Sequence, residues 1–365
     1  MVGHQRQVES LEKTYQKRNQ HIEETAGKKV VLDKIVKDVF LFLTLICSSV
    51  VIVVTFFILF KGLRPFRKTY TENNESGKAS LSYFLTGRRF NNGYSDGQYQ
   101  YGVFFLVYNT LFLNLLVAIL SIPRSILTGL FISRIAPKWL SKIRQTVIDL
   151  LAAIPSVIYG IFGIGIIVPI IKKFSNSLPN GAGYTGISRL SGALVLALMI
   201  LPTILSVSVN ARNSVDKNQI NGSLALGASP TQTNFKVVLR NAKSGIFAGI
   251  ILGIGRSLGE ATAVSMVCGA PLYGITINPL KTTITLSSQM LLSIGEAVPG
   301  SRNYDVRFSA GIRLMLIIIV TNLILNDVKN HVSSIDKQPL FIQRPYLYLK
   351  RIISERTKGL KANHD

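Results

Sequence analysis

Cysteine is almost missing from this 365-residue chain: Cys47 and Cys268 are the whole supply, too few for a disulfide framework or a thiolate metal site. The four histidines, His4, His21, His331 and His364, fall in the polar end segments, so no His/Cys cluster offers a metal centre. No G-x-x-x-x-G-K-[ST] phosphate cradle and no dinucleotide fingerprint occurs, which excludes nucleotide hydrolysis by this chain alone. A nucleophile elbow, an H-E-x-x-H pair and a compact Ser/His/Asp set are also missing, so the sequence presents no catalytic residue and no metal ligand set. Charge is sparse and mostly basic, with 41 Lys and Arg against 18 Asp and Glu and only 16% charged residues in all.

What fills the chain is apolar, 48% of its residues. Long apolar runs over residues 39–60, 103–132, 143–171, 194–209, 245–266 and 308–325 are each read as one membrane span. The expected fold class is therefore all-α, a polytopic membrane protein with six transmembrane helices and both termini cytoplasmic. Its parts are a cytoplasmic tail (1–38), a first span (39–60), an extracytoplasmic loop (61–100), a core (101–326) and a second cytoplasmic tail (327–365). The polar start shows no cleavable signal peptide, which leaves the first span as an uncleaved anchor.

In a soluble protein the net charge of +23 would suggest nucleic acid. Here 25 of the 41 basic residues fall in the two tails and two inter-helix segments on one side, including Arg134, Lys138, Lys142 and Arg144 in the short loop after the second span. That pattern indicates topology and contact with anionic membrane lipid, not nucleic-acid binding. Only loop 61–100, with seven basic residues, runs against it.

Two features carry function. The first is the polar, helix-forming connection 210–243, long for a loop between adjacent spans. The second is the fifth span, where Gly245, Gly249 and Gly253 recur every four residues and Gly255 and Gly259 repeat the spacing. Such ridges without side chains let another helix approach closely. Arg256 and Glu260 stand four apart, which on a continuous helix puts them on one face. Ionisable groups in a span mark a pathway or pair with each other. Arginine's fork suits a tetrahedral oxyanion, and a neighbouring carboxylate would keep binding weak enough for release. Thr110 in the second span and Ser156, beside Pro155 in a span broken by Gly160, Gly163 and Gly165, are further pathway candidates.

Leu224-Ala-Leu-Gly-Ala-Ser-Pro-Thr-Gln-Thr, followed by Lys236-Val-Val-Leu-Arg-Asn-Ala-Lys-Ser-Gly-Ile, resembles the coupling loop of ABC importer membrane subunits. Gly255-Arg-Ser-Leu-Gly-Glu-Ala-Thr-Ala, with Ala152-Ala-Ile-Pro-Ser-Val-Ile-Tyr-Gly and Gly295-Glu-Ala-Val-Pro-Gly, narrows the resemblance to phosphate-importer permeases of the PstC kind, across residues 100–326.

The resemblance implies a MetI-like permease core in the cytoplasmic (inner) membrane that translocates inorganic phosphate. Its implied partners are a homologous PstA-like permease, ATPase subunits and an extracytoplasmic phosphate-binding protein. ATP with Mg would sit on the ATPase, and this chain would bind no cofactor. Arg256 and Glu260 fall where the family places charges for the phosphate path. Asn221, Leu224, Ala225, Leu226, Gly227 and Ala228 would form the ATPase-coupling contact. Asn221-Gly-Ser replaces the usual Glu-Ala-Ala, and Arg240 stands where a proline is common. One Arg and one Glu do not choose the anion, so sulfate, molybdate and phosphonate stay open. A stand-alone anion channel or carrier would need no ATPase.

Overall fold

A computed structural model describes residues 2–335 except 73, 74, 89, 96, 97, 133–136, 138–145, 149, 179–183, 272, 273, 276, 293 and 296. The short basic loop expected after the second span and the tail beyond residue 335 lie outside the described residues.

Among the described residues six helices are long and apolar enough to cross a membrane: Asp33–Arg67, Phe104–Leu130, Ser156–Asn176, Arg189–Asn213, Pro230–Gly259 and Arg302–Val332. At 1.5 Å per residue even the shortest, with 21 residues, reaches about 31 Å, against a hydrocarbon core of about 30 Å.

The chain divides into two units, residues 1–60 and 61–365. Helix α1 (Val2–Arg67) supplies the whole first unit. Within its span Thr44, Ser49 and Thr55 donate to the carbonyls of Phe40, Leu45 and Val51 at 2.7, 2.8 and 2.9 Å. Each hydroxyl is thereby satisfied inside its own helix, as an apolar medium requires.

The second unit begins with an addition to the all-α expectation. Two antiparallel hairpins, β1 (Tyr70–Glu72) with β2 (Glu75–Gly77) and β3 (Phe90–Ser95) with β4 (Gln98–Tyr101), flank the short helix α2 (Leu81–Thr86). Tyr and Thr favour strand, and a two-strand ribbon needs packing to persist. That packing comes from Phe84, Phe90, Tyr101 and Val103, buried with Phe105, Leu106, Ile284, Leu286, Val306 and Ala310. The Tyr70 hydroxyl donates to Asp305 at 2.7 Å, and burial beside that carboxylate pushes the phenol's pKa upward.

The membrane core is built on α3 (Phe104–Leu130), α4 (Ser156–Asn176), α5 (Arg189–Asn213), α7 (Pro230–Gly259), α8 (Thr262–Cys268) and α10 (Arg302–Ile335). Outside it lie α6 (Lys217–Ala225) and the short α9 (Leu286–Leu291). Pro155, with an extended ψ of 142°, ends the preceding helical stretch, so α4 starts at Ser156 as the proline predicts.

α5 is the most buried of the six spans. Its Leu196, Ile200 and Ile204 meet Leu113 and Val117 of α3, Ile246, Ile250 and Ile254 of α7, and Ala263 and Val267 of α8 in one apolar cluster. The first residue of α5, Arg189, is fully buried and donates to Asn109 at 2.7 Å and Thr283 at 3.2 Å. α7 contains a π-helical segment, Thr233–Val238, and continues as α-helix from Leu239 to Gly259.

Candidate functional site

Arg256 sits in the last turn of α7, partly buried. Its Nη1 donates to Thr203 Oγ1 of α5 at 3.1 Å, and Tyr159 of α4 lies within electrostatic range of the guanidinium. A cation in a membrane span is thus anchored by a neutral hydroxyl.

The expected partnership of Arg256 with Glu260 is not made. α7 ends at Gly259, and Glu260 has extended backbone, φ −72° and ψ 119°. The helical spacing that would stack the two side chains is broken between them. The Glu260 carboxylate instead accepts from the Ala263 N–H at 3.1 Å, and its carbonyl accepts from the Ser287 hydroxyl at 2.7 Å. The first N–H groups of a helix have no intrahelical partner, and a carboxylate at that position both accepts from them and complements the helix dipole. Glu260 therefore serves the start of α8. Among the described residues no ion pair joins it to Arg256.

The two lesser pathway candidates part company. Thr110 is 1% exposed; it donates to the Leu106 carbonyl at 2.7 Å and accepts from the Leu286 N–H at 3.0 Å. It ties α3 to the start of α9. Ser156 is partly exposed at the first turn of α4, after the Pro155 break. The sequence reading missed Thr203, and also the buried bond from Ser257 to Asn114 that fastens α7 to α3 one residue beyond Arg256. Nothing in local periodicity flags a lone Thr or Asn whose partner is on another helix.

The two glycine sets also separate. A Cβ on Gly245 would lie 2.4 Å from Ala211 Cβ, on Gly249 3.1 Å from Val207 Cβ, and on Gly253 2.6 Å from Ile204 Cγ1. These three form the ridge against α5 that their spacing predicts. Gly255 would meet only Asn322 Oδ1, at 3.8 Å, and Gly259 nothing within 4 Å. The repeat of the spacing does not repeat the packing, because those glycines lie on another side of α7.

The connection 210–243 folds as a helix with defined ends. Asp216 caps α6 by accepting from Asn218 N–H at 2.9 Å. At the other end Gly227 takes φ +85°, the Ala228 N–H bonds the Ser223 carbonyl at 3.2 Å and the Gly227 N–H bonds Leu224 at 3.0 Å. This is a Schellman close, which a side chain at Gly227 would strain. Ser229 and Gln232 then form a reciprocal capping box, with Pro230 in the first turn of α7. Asn221, Leu224, Ala225, Leu226 and Gly227 are all exposed, Leu226 at 90%, and Ala228 is partly so. A leucine projected at the tip of a capped helix is an apolar contact without an intrachain use.

Residues 125–332 match the family described as binding-protein-dependent transport system inner membrane component. The chain is 33% identical over 300 residues to the probable ABC transporter permease protein YqgH of Bacillus subtilis, spanning 82% of this chain and 89% of that one. It is 32% identical over 248 residues to the phosphate transport system permease protein PstC 1 of Mycobacterium tuberculosis, spanning 64% and 73%. Among solved structures it resembles a chain of a bacterial alginate ABC transporter in complex with an alginate pentasaccharide-bound periplasmic protein. There the TM-score is 0.55 at 16% identity, with 82% and 97% covered, a likeness of fold alone.

Proposed function

The chain belongs to the family of binding-protein-dependent transport system inner membrane components, and from that premise we propose that it is the PstC-like permease subunit of an ATP-driven importer of inorganic phosphate. It is an inner-membrane, multi-pass subunit that performs no chemistry of its own; a separate ATPase hydrolyses ATP with Mg. A PstA-like second permease completes the path, an extracytoplasmic binding protein delivers the anion, and the ATPase docks on α6.

The observation that carries the phosphate reading is Arg256. Its guanidinium is held in the membrane by Thr203 alone among the described residues, with Glu260 turned away to α8. Partly buried positive charge without an acidic partner among the described residues, carried on a planar fork of donors, is a receptor for a tetrahedral oxyanion, and membrane arginines of this kind mark substrate paths. Several relatives that carry the phosphate name support the choice of anion. Closure of the ATPase pair would move α6. Its Ser223 hydroxyl lies 3.0 Å from that of Thr233 in α7, and α7 leads to Arg256.

The test is uptake of radiolabelled phosphate by the assembled importer in proteoliposomes, with sulfate and molybdate as competitors. Phosphate is taken up and resists competition. Arg256→Gln abolishes uptake while the complex still assembles and still hydrolyses ATP. Preferential uptake of sulfate or molybdate overturns the choice of anion, and full uptake by Arg256→Gln overturns the pathway.

A further inference from the structure

Several hydroxyls in the spans of this protein are satisfied inside their own helix, whereas the buried Ser125 and Ser208 have no partner among the described residues and Ser257 reaches Asn114 of α3. Thr44, Ser49, Thr55, Thr110 and Ser121 each donate to the carbonyl four residues earlier, at 2.7–2.9 Å. This is the usual fate of Ser and Thr in an apolar medium, where a hydroxyl proton needs an acceptor. Thr203 departs from it. Its oxygen accepts from Arg256 Nη1 at 3.1 Å, and among the described residues its own proton has no acceptor. The residue is partly exposed, and its oxygen lies beside the guanidinium.

Thr203 is also placed to stay where it is. It lies on α5, whose neighbours Ile200 and Ile204 are fully buried. Ile204 also packs against the Gly253 ridge of α7, one turn before Arg256. The pair thus spans the close α5–α7 contact at Gly253, and the hydroxyl sets where the arginine's fork points.

We propose that Thr203 is a positioning residue of the anion path: it fixes the Arg256 guanidinium through its oxygen and presents its free proton to an oxygen of the passing oxyanion. This rests on the reading of Arg256 given above. Two donors from two helices, one charged and one neutral, then converge on one anion.

Thr203→Val preserves the branched shape and removes the hydroxyl; Thr203→Ser restores it. The assay is the assembled importer in proteoliposomes with saturating binding protein, reading phosphate uptake and ATP hydrolysis together. Loss of a hydrogen bond to a charged group predicts that Thr203→Val lowers maximal uptake about tenfold, with ATP hydrolysis within about twofold of the parent and an unchanged melting temperature. Thr203→Ser recovers most of the uptake. Undiminished uptake by Thr203→Val overturns the proposal. So does a parallel loss of uptake, hydrolysis and melting temperature that Ser does not rescue, which would mark a packing residue. If Arg256→Gln is inactive while Thr203→Val transports normally, only this proposal fails; if Arg256→Gln transports normally, the pathway reading fails with it.

Discussion

Replacing Gly245 with Ala adds one methyl group at the tightest point of the α5–α7 contact. The new Cβ would stand 2.4 Å from Ala211 Cβ and 3.5 Å from Ala211 Cα. Ala211 has no side-chain torsion with which to move aside, so relief comes only from the backbones. Restoring an ordinary carbon contact of 3.4 Å requires the two helices to part locally by about 1 Å. The apolar cluster on both helices loses contacts over the same stretch, and dispersion falls steeply with such a gap. Overpacking of a filled interior costs about 1–3 kcal/mol, and rigid backbone on both sides places this case in the upper half of that range. For a chain of this size the loss corresponds to a fall of several degrees in melting temperature. The measurement is thermal melting of the purified chain in a fixed detergent, with Gly259→Ala as control because nothing lies within 4 Å of its added Cβ. If Gly245→Ala melts with the parent, or no lower than Gly259→Ala, the ridge is not what sets the helix spacing.

Two further outcomes separate coupling from architecture. Leu226→Asp, at a residue 90% exposed, leaves melting unchanged but removes capture of the ATPase in a pull-down; retained capture would show that the tip of α6 is not the docking point. Thr110→Val leaves the buried Leu286 N–H without its acceptor and costs about 1–3 kcal/mol. It lowers the melting temperature while uptake per assembled complex is kept, and a selective loss of uptake would return Thr110 to the pathway.

The six spans were legible because about twenty apolar residues in a row have few other destinations, and Pro155 stood where the third span breaks. The Gly245 ridge was legible in its period but not in its partner, which period alone does not name. The same rule misled at Gly255 and Gly259. Glu260 was misread for a specific reason: spacing arguments assume an unbroken helix, and the turn to extended backbone after Gly259 carries no proline to betray it. Thr203 and the Asn114–Ser257 bond were invisible because each depends on how two helices face each other. The hairpins of residues 70–101 were hidden in a stretch whose composition reads equally well as loop.

The π-helical segment at Thr233–Val238 acts as a phase setting for everything beyond it. A π turn holds an additional residue, and one residue of an α-helix corresponds to about 100° of rotation around the axis. Were the segment wound as ordinary α-helix, the glycines facing Ala211, Val207 and Ile204 would swing away from α5, and the Arg256 fork would point off Thr203. The angular register of the membrane half is thus written some eighteen residues before the arginine it aims, in a segment that lies against the coupling helix.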